Sequence, residues 1–232
     1  MKLLAVDTSS LACSVAFGDG GAVAERHEEQ AREHTRLLVP MIRDVMAAAG
    51  AALRDLDAIV LGNGPGSFIG MRIAASVAQG LAHAAGLRIV PVSSLAAVAA
   101  QVFDETDAGE VAVAQDAHMN EVYLGAYRRG ADGLPVPVFP ECLHTQAHID
   151  ELDESPAGKR VAAGFGWQRY PGLAAANEDL FSATSAVLYP RARWLLPLGQ
   201  AGIGNGLDVS PEEIVPAYLR ARVAEKPADT GS

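Results

Sequence analysis

The distribution of apolar positions predicts three strands at the start of the chain. A short apolar run ending at Asp7 predicts the first strand, and two further runs flank the turn Gly18-Asp19-Gly20-Gly21. A tight turn of this composition between two apolar runs is typical of a β-hairpin. The first thirty residues therefore predict three consecutive strands with no helix between them.

The pattern then changes to a helical period. Between residues 33 and 49, apolar side chains recur at positions 37, 38, 41, 42, 45 and 46, and Gly50 closes the segment. This spacing predicts an amphipathic helix with a wide apolar stripe. Because Pro40 lies inside the segment, we expect either a kink or a helix that begins later.

Strands and helices alternate after this point. A continuous apolar run at 57–63 predicts a central strand, followed by a helix at about 67–85, a strand at 88–92 and a helix at 93–103. An ordinary doubly wound sheet places a helix after its first strand, whereas this chain opens with three strands. That order is typical of the actin-like ATPase fold, which sugar kinases share and which belongs to the ribonuclease H-like class of α/β folds. We therefore expect an α/β protein of this fold with two lobes.

An acidic stretch, FDETDAGE at residues 103–110, interrupts the alternation and predicts the boundary between the lobes. We expect an N-terminal lobe at 1–103 and a smaller C-terminal lobe with a tail at 104–232. The second lobe is predicted to contain two strands around a turn, one later strand and one helix, at residues 111–129, 159–166 and about 184–201.

Composition narrows the choice of partners and compartment. The 232 residues carry a formal net charge of −10 and show no row of basic residues of the kind that binds a nucleic-acid backbone. We therefore expect contact with nucleic acid only through a partner.

Cys13 and Cys142 are far apart in the sequence and suggest neither a disulfide framework nor a zinc site. The first apolar run reaches Asp7 too soon for a signal-peptide core or a membrane span, so we expect a cytoplasmic protein with no membrane contact.

The stretch GNGPGSFIG at residues 62–70 allows two interpretations. A strand, a glycine-rich loop and a helix start can form an anion site, because backbone N–H groups and the helix dipole point at the loop. However, the spacing matches neither GxGxxG nor GxxxxGK[ST], and no lysine follows. If a nucleotide binds this chain, the expected contacts are Ser9, Ser10, Gly64 and Gly66.

The helix after this loop has two rows of small residues. Positions four apart give one row at Gly66, Gly70, Ala74, Ala78 and Ala82, and a second at Ser76, Gly80 and Ala84. Small residues at this spacing allow another backbone to approach closely, as in membrane helices. We expect one row to pack inward and the other to face a partner.

Four segments resemble the TsaB family, the dimerisation subunit of the bacterial tRNA threonylcarbamoyladenosine synthase. They are LLAVDTSS, REHTRLLVPMI, QDAHMNEVYLGAY and the long stretch GNGPGSFIGMRIAASVAQGLAHAAGLRIVPVSSLAAVAA. The resemblance extends over essentially the whole chain up to PAYLR. Two departures stand out, since the family commonly has threonine in place of Ile69 and arginine in place of His118.

The resemblance implies a subunit without catalytic residues of its own. The catalytic paralogue TsaD carries an HxEGH-type metal pair after the equivalent strand, whereas serine and valine stand at the corresponding positions of Pro91–Val98 here. The expected partners are TsaD and the accessory ATPase TsaE, with a homodimer when the chain is alone and tRNA contacted only through the complex. No intrinsic cofactor is implied, while ATP or ADP at the subunit junction stays open.

The implied activity of that complex is threonylcarbamoylation of N6 of adenosine 37 in tRNAs reading ANN codons. This chain is expected to dimerise through its helices at about 33–49 and 67–85. Of the predicted interface residues, four would supply apolar area and two would permit close approach. The complete set is His34, Leu37, Leu38, Met41, Val45, Arg72, Ser76 and Gly80.

Other residues allow weaker alternatives. His144 and His148 stand four apart near Asp150 and suggest a metal site, against the simpler reading of exposed polar residues. Asp7 would hold a metal in an actin-like ATPase, although we favour a carboxylate that caps the hairpin turn.

Asp116 and Glu121 are more simply solvated carboxylates than an acid/base pair. Ser67 lacks the GxSxG spacing of a nucleophile. The rival functions are an actin-like ATPase or TsaD-like metalloenzyme active alone, and a binding module for an unrelated partner.

Overall fold

The computed structural model describes residues 1–29, 33–152 and 160–220 and contains two β-sheets. The first sheet has the order β3-β2-β1-β4-β5. Its strands are β1 Leu3–Asp7, β2 Cys13–Gly18, β3 Val23–Glu28, β4 Ala58–Gly62 and β5 Arg88–Val92. β1 to β3 are antiparallel neighbours, while β1, β4 and β5 run parallel, so the predicted three-stranded opening is confirmed.

Two helices cover one face of this sheet. α1 spans His34–Ala48 and continues through Pro40, so the helix does not begin later than the apolar stripe. α2 spans Phe68–Ala85, where the Ser67 hydroxyl accepts a hydrogen bond from the Gly70 amide at 3.2 Å and caps the first turn. α2 ends at Gly86, whose φ of 67° is the left-handed conformation that terminates many helices.

The second sheet has the order β11-β10-β6-β7-β8, with β9 also paired to β7. Its strands are β6 Glu110–Asp116, β7 Val122–Arg129, β8 Pro135–Pro137, β9 Cys142–His144, β10 Arg160–Ala163 and β11 Ala183–Thr184. The remaining helices are α3 Ser94–Glu105, α4 Phe165–Arg169, α5 Pro171–Ala176 and α6 Ala192–Gly204. The predicted pair of strands around a turn corresponds to β6 and β7.

Packing does not divide at residue 103. α3 ends at Glu105, and its Val98 and Val102 pack with Val111 of the second sheet. In the opposite direction, α6 comes from the C-terminal half of the chain and packs Leu195 on the first sheet. The strands of the two sheets thus lie on either side of residue 103, while α3 and α6 each pack on the sheet formed by the other half of the chain.

The prediction of a helix at about 184–201 was wrong at its beginning, since α6 begins at Ala192. Pro190 disfavours helical backbone at the residue before it. Residues Val187 and Leu188 instead accept hydrogen bonds from the amides of Gly164 and Phe165, at 2.8 and 3.0 Å. Among the described residues, no helix combines the length and the apolarity needed to cross a membrane.

Candidate functional site

The glycine turn packs tightly against the chain's own first strand. A Cβ on Gly66 would lie 2.1 Å from the carbonyl oxygen of Ser9, and the Ser67 amide donates a hydrogen bond to that oxygen at 2.6 Å. Gly64 adopts a φ of 90°, and its amide donates to the Ser94 hydroxyl at 3.2 Å. Because the amides of Gly64 and Ser67 are engaged within the chain, the turn serves close packing of α2 against β1.

Asp7 is completely enclosed at the end of β1. Its Oδ1 accepts hydrogen bonds from the amide and hydroxyl of Ser9, both at 2.8 Å, and its Oδ2 accepts one from the Ser94 hydroxyl at 2.6 Å. Gly62 leaves room for this carboxyl group, because a Cβ there would lie 2.0 Å from Oδ2. Burial raises the pKa of Asp7, and the serine hydrogen bonds oppose that shift. Asp7 therefore caps the turn that directly follows β1, whereas in the hairpin turn Asp19 Oδ1 accepts from the Gly21 amide at 3.0 Å.

The apolar stripe of α1 faces the chain's own core. Leu38, Met41 and Val45 are 1%, 5% and 0% exposed and pack in the cluster beneath the first sheet, so they offer almost no surface to a partner in this conformation. His34 is buried as well, with Nε2 3.2 Å from the carbonyl oxygen of Ala12. Leu37 is partly buried at the edge of the same cluster.

A groove of about 500 Å³ runs between α1 and α2 on the outer surface. Val39 and Ile69 are its most exposed apolar side chains, at 39% and 71%. Neither was among the predicted interface residues, although Ile69 had stood out as a departure from the family. The groove is lined by Thr35, Leu38, Val39, Ile69, Arg72, Ile73, Ser76 and Val77.

The two small-residue rows of α2 face in opposite directions. Gly70, Ala74, Ala78 and Ala82 are buried, and a Cβ on Gly70 would lie 1.9 Å from the Thr8 carbonyl oxygen. This confirms the inward row. Ser76, Gly80 and Ala84 are exposed, and a Cβ on Gly80 would meet no atom within 4 Å.

Arg72 is held by a distant segment of the chain. Its Nε donates a hydrogen bond to the Tyr218 hydroxyl at 2.9 Å, and its guanidinium carbon lies 3.7 Å from the centroid of the Phe68 ring. The Asn63 side chain donates to the Val215 carbonyl at 3.0 Å. Residues 214–220, which we call the strap, therefore fasten against the start of α2.

The strap ends on the second lobe. Arg220 forms an ion pair with Glu121 and donates to the Ala117 carbonyl at 3.0 Å. The turn that it contacts joins β6 to β7 and contains three successive residues with positive φ, at 60°, 54° and 61°: His118, Met119 and Asn120. Such a run is costly for residues with a Cβ, so the contacts with Arg220 help to hold the turn.

A cleft of about 690 Å³ lies between the two sheets and adjoins the groove. Of the predicted nucleotide contacts, Ser9 and Ser10 line this cleft, whereas Gly64 and Gly66 do not. The full lining is Ser9, Ser10, Leu11, His34, Thr35, Ser67, Ile69, Gly70, Ile73, Gln115, Asp116, His118, Phe165 and Tyr189.

The two carboxylates at the β6–β7 turn have separate partners. Asp116 Oδ1 accepts hydrogen bonds from the His118 amide and the Tyr170 hydroxyl, both at 2.7 Å, while Glu121 pairs with Arg220. Burial, and after it the hydrogen bond to Asp116, raises the pKa of Tyr170 to about 12. Since each carboxylate is engaged in positioning a neighbour, the arrangement does not resemble an acid/base pair.

The histidines of the second lobe contact backbone oxygens. His144 Nε2 lies 3.3 Å from the Ala147 carbonyl oxygen, and His148 Nδ1 lies 3.0 Å from that of Ala176. Asp150 begins a short 3₁₀ turn. Within residues 1–29, 33–152 and 160–220, no group of three or more His, Cys, Asp and Glu side chains is arranged to hold a metal ion.

The two serines at the start of α3 have structural contacts. Ser93 caps α3 by accepting a hydrogen bond from the Ala96 amide at 3.1 Å, and it donates one to the Glu141 carboxylate. Ser94 bonds to Asp7, as described above. Burial is the main reason that the pKa of Glu141 is raised. The segment Pro91–Val98 thus joins the two sheets.

Comparisons with known proteins agree with this architecture. Residues 20–227 match the family model described as "TsaD: tRNA N6-adenosine threonylcarbamoyltransferase". The structure resembles that of YeaZ from Pseudomonas aeruginosa, with a TM-score of 0.84 and 36% identity over 94% of this chain and 99% of that one. The predicted two-lobed actin-like fold class is confirmed.

Full-length relatives specify the family more closely. The chain is 37% identical to the tRNA threonylcarbamoyladenosine biosynthesis protein TsaB of Escherichia coli K12, over 97% of both chains. It is 36% identical to the protein of the same name from Haemophilus influenzae, over 97% of this chain and 96% of that one. At this identity and coverage, the chain belongs to the TsaB family.

Proposed function

We propose that this chain is a non-catalytic subunit that docks on the catalytic subunit TsaD through the groove between α1 and α2 and the exposed small-residue row of α2. In this role it supports threonylcarbamoylation of N6 of adenosine 37 in tRNAs reading ANN codons. The observation that carries the proposal is the exposed surface formed by Val39, Ile69 and the row Ser76, Gly80 and Ala84. The names of the relatives support a role in this tRNA modification, since both are tRNA threonylcarbamoyladenosine biosynthesis proteins.

The surface suits a close helix–helix contact. Gly80 has open space where a Cβ would lie, so a facing backbone can approach α2 without displacing a side chain. Val39 and Ile69 supply apolar area on either side of the groove. A partner that covers a standard interface buries about 1,600 Å² in total, which is enough for stable pairing.

The proposed role is to favour one conformation of TsaD by binding it more tightly than the others. Three local features support a role without catalysis by this chain. The Asp7 carboxylate accepts hydrogen bonds from the hydroxyls of Ser9 and Ser94. The amides of Gly64 and Ser67 in the glycine turn donate to Ser94 and Ser9. Ser93 caps α3.

The remaining partners follow from the same proposal. TsaE joins the assembly, tRNA is contacted only through the complex, and the chain forms a homodimer through the same groove when TsaD is absent. The net charge of −10 supports indirect contact with tRNA. ATP or ADP at the subunit junction, with Ser9 and Ser10 as its contacts, would need the counter-charge for its phosphates from the partner, since no lysine or arginine of the described residues lines the cleft. A cytoplasmic location accords with this role.

The test compares two glycine variants in a reconstituted modification reaction. Gly80→Glu places a charged side chain on the exposed row, whereas Gly204→Glu does so at the end of α6, where a Cβ also meets no atom within 4 Å. We expect only Gly80→Glu to prevent co-elution with TsaD and to abolish adenosine 37 modification. Co-elution of the Gly80→Glu protein at the wild-type level would refute the proposed interface, and turnover by the purified chain alone would refute the non-catalytic role.

A further inference from the structure

The inter-lobe cleft contains one carboxylate and no basic residue that carries a permanent charge. Asp116 is among its lining residues, and neither lysine nor arginine is, within the part of the chain that the structure describes. In the glycine turn nearby, the amides of Gly64 and Ser67 donate to Ser94 and Ser9. A phosphate would find no cation in this cleft, whereas a cationic group would find a counter-ion.

The two carboxylate oxygens of Asp116 differ in the number of hydrogen bonds that they accept. Oδ1 accepts from the His118 amide and the Tyr170 hydroxyl, both at 2.7 Å. Oδ2 lies 3.2 Å from Nδ1 of His118, whose side chain is 81% exposed and can turn away without losing a buried contact. Among the described residues, no lysine or arginine forms an ion pair with Asp116.

Two aromatic rings stand beside this carboxylate in the cleft wall. Phe165 and Tyr189 have ring centroids 5.5 Å apart, and both line the cleft. Burial raises the pKa of the Tyr189 hydroxyl, and the negative charges of Glu29 and Asp116 raise it further. The face of an aromatic ring adds its own attraction for a cation.

The cleft is continuous with the groove on the outer surface. Thr35, Ile69 and Ile73 line both. A polypeptide lying in the groove thus has direct access to the cleft, and a long side chain can reach inward from it. Because the groove and the cleft are continuous, the molecule that occupies the groove is the most direct source of a cation for the cleft.

We propose that the partner subunit inserts an arginine or lysine side chain into the cleft, where it pairs with Asp116 beside the rings of Phe165 and Tyr189. The inference rests on the proposed docking at the groove. It adds a polar anchor to an otherwise apolar contact. Such an anchor fixes the orientation of the partner and makes the affinity depend on salt.

The first experiment measures the affinity for TsaD by titration calorimetry at about 50 mM and about 300 mM salt. Asp116→Asn keeps an oxygen that accepts from His118 and Tyr170 and removes the charge. Asp104→Asn is the charge-matched control, because Asp104 is exposed on α3 and outside the cleft. We expect Asp116→Asn to weaken binding about tenfold at low salt and to reduce the salt dependence, with Asp104→Asn unchanged.

A second pair of variants tests the aromatic wall. Tyr189→Phe keeps the ring and is expected to bind TsaD like the wild type, whereas Tyr189→Leu removes the ring and is expected to bind several-fold more weakly. Equal affinities of Asp116→Asn and Asp104→Asn would overturn the inference. The proposed function would stand in that case if Gly80→Glu still separated the subunits.

A small probe distinguishes a partner side chain from a free cation. N-acetyl-arginine amide is titrated into the isolated chain and followed by NMR. Competition by this probe against TsaD, lost in Asp116→Asn, would support the inserted side chain. Binding of the probe with no effect of Asp116→Asn on the affinity for TsaD would overturn it, because the cleft would then take a free amine unrelated to docking.

Discussion

Arg72 donates a hydrogen bond from Nε to the hydroxyl of Tyr218, a residue 146 positions later in the chain, at 2.9 Å. The same guanidinium group lies over the Phe68 ring, and the Phe68 and Tyr218 rings are 5.2 Å apart. The strap is thus attached to α2 beside the groove. On its other end Arg220 contacts the β6–β7 turn, so both lobes share this attachment.

Removing the Tyr218 hydroxyl is expected to weaken the attachment slightly. Because the hydrogen bond is exposed, Tyr218→Phe should lower the free energy of unfolding by about 0.5–1 kcal/mol, while the ring contacts persist. Urea unfolding followed by circular dichroism measures this difference. Tyr189→Phe is the matched control, and an equal loss in both variants would contradict a specific contribution from the Arg72 contact.

Two glycines on neighbouring elements should respond in opposite ways to a methyl group. Gly66→Ala would place Cβ 2.1 Å from the Ser9 carbonyl oxygen, which belongs to rigid backbone, and should destabilise the fold by about 2–3 kcal/mol. Gly80→Ala adds a methyl group in open space within a helix and should stabilise it by about 0.5–1 kcal/mol.

Thermal or urea unfolding of the isolated chain measures both glycine variants. The opposite signs exclude a general effect of replacing glycine. A Gly66→Ala protein as stable as the wild type would show that the contact between the turn and β1 is looser than the geometry indicates.

Asp7 should make stability depend on pH in an unusual direction for a carboxylic acid. Burial raises its pKa in the folded state above the ordinary value of 3.8, so folding favours the protonated form. The contribution to stability is therefore fully present below 3.8 and is lost as the pH rises through the higher folded-state pKa.

Urea unfolding of wild type and Asp7→Asn between about pH 3.5 and pH 8 tests this sign. The stability of the wild type relative to Asp7→Asn should increase as the pH falls, since asparagine does not titrate. Asp104→Asn serves as the control for an exposed carboxylate. A relative stability that decreases on acidification would show that the serine hydrogen bonds outweigh desolvation.

Local patterns predicted the elements that obey one period. The three opening strands, α2 and its inward row at Gly70, Ala74 and Ala78 were all predictable, because each has a regular apolar or small-residue spacing that burial requires. The α1 stripe was equally regular, but its role was not predictable. Periodicity identifies a face to be buried and does not say whether the chain itself or a partner buries it, and Leu38 and Val45 face the core.

Contacts between distant polar residues had no such signal. The hydrogen bond of Arg72 to Tyr218 and the ion pair of Arg220 with Glu121 join positions with no shared spacing. The start of α6 at Ala192 could have been predicted from Pro190, because proline disfavours helical backbone at the residue before it. The aromatic wall of the cleft, by contrast, depends on how the two sheets are placed, which no single segment determines.

The crossed placement of α3 and α6 has a consequence for how the molecule can be divided. If the chain were expressed as two fragments divided after residue 103, the first sheet would lose the packing of Leu195 from α6. The second sheet would lose most of α3, which packs on Val111. Both fragments would expose apolar faces and aggregate. We therefore expect the two halves to reach the native state only when produced together, as a complementing pair or as one polypeptide.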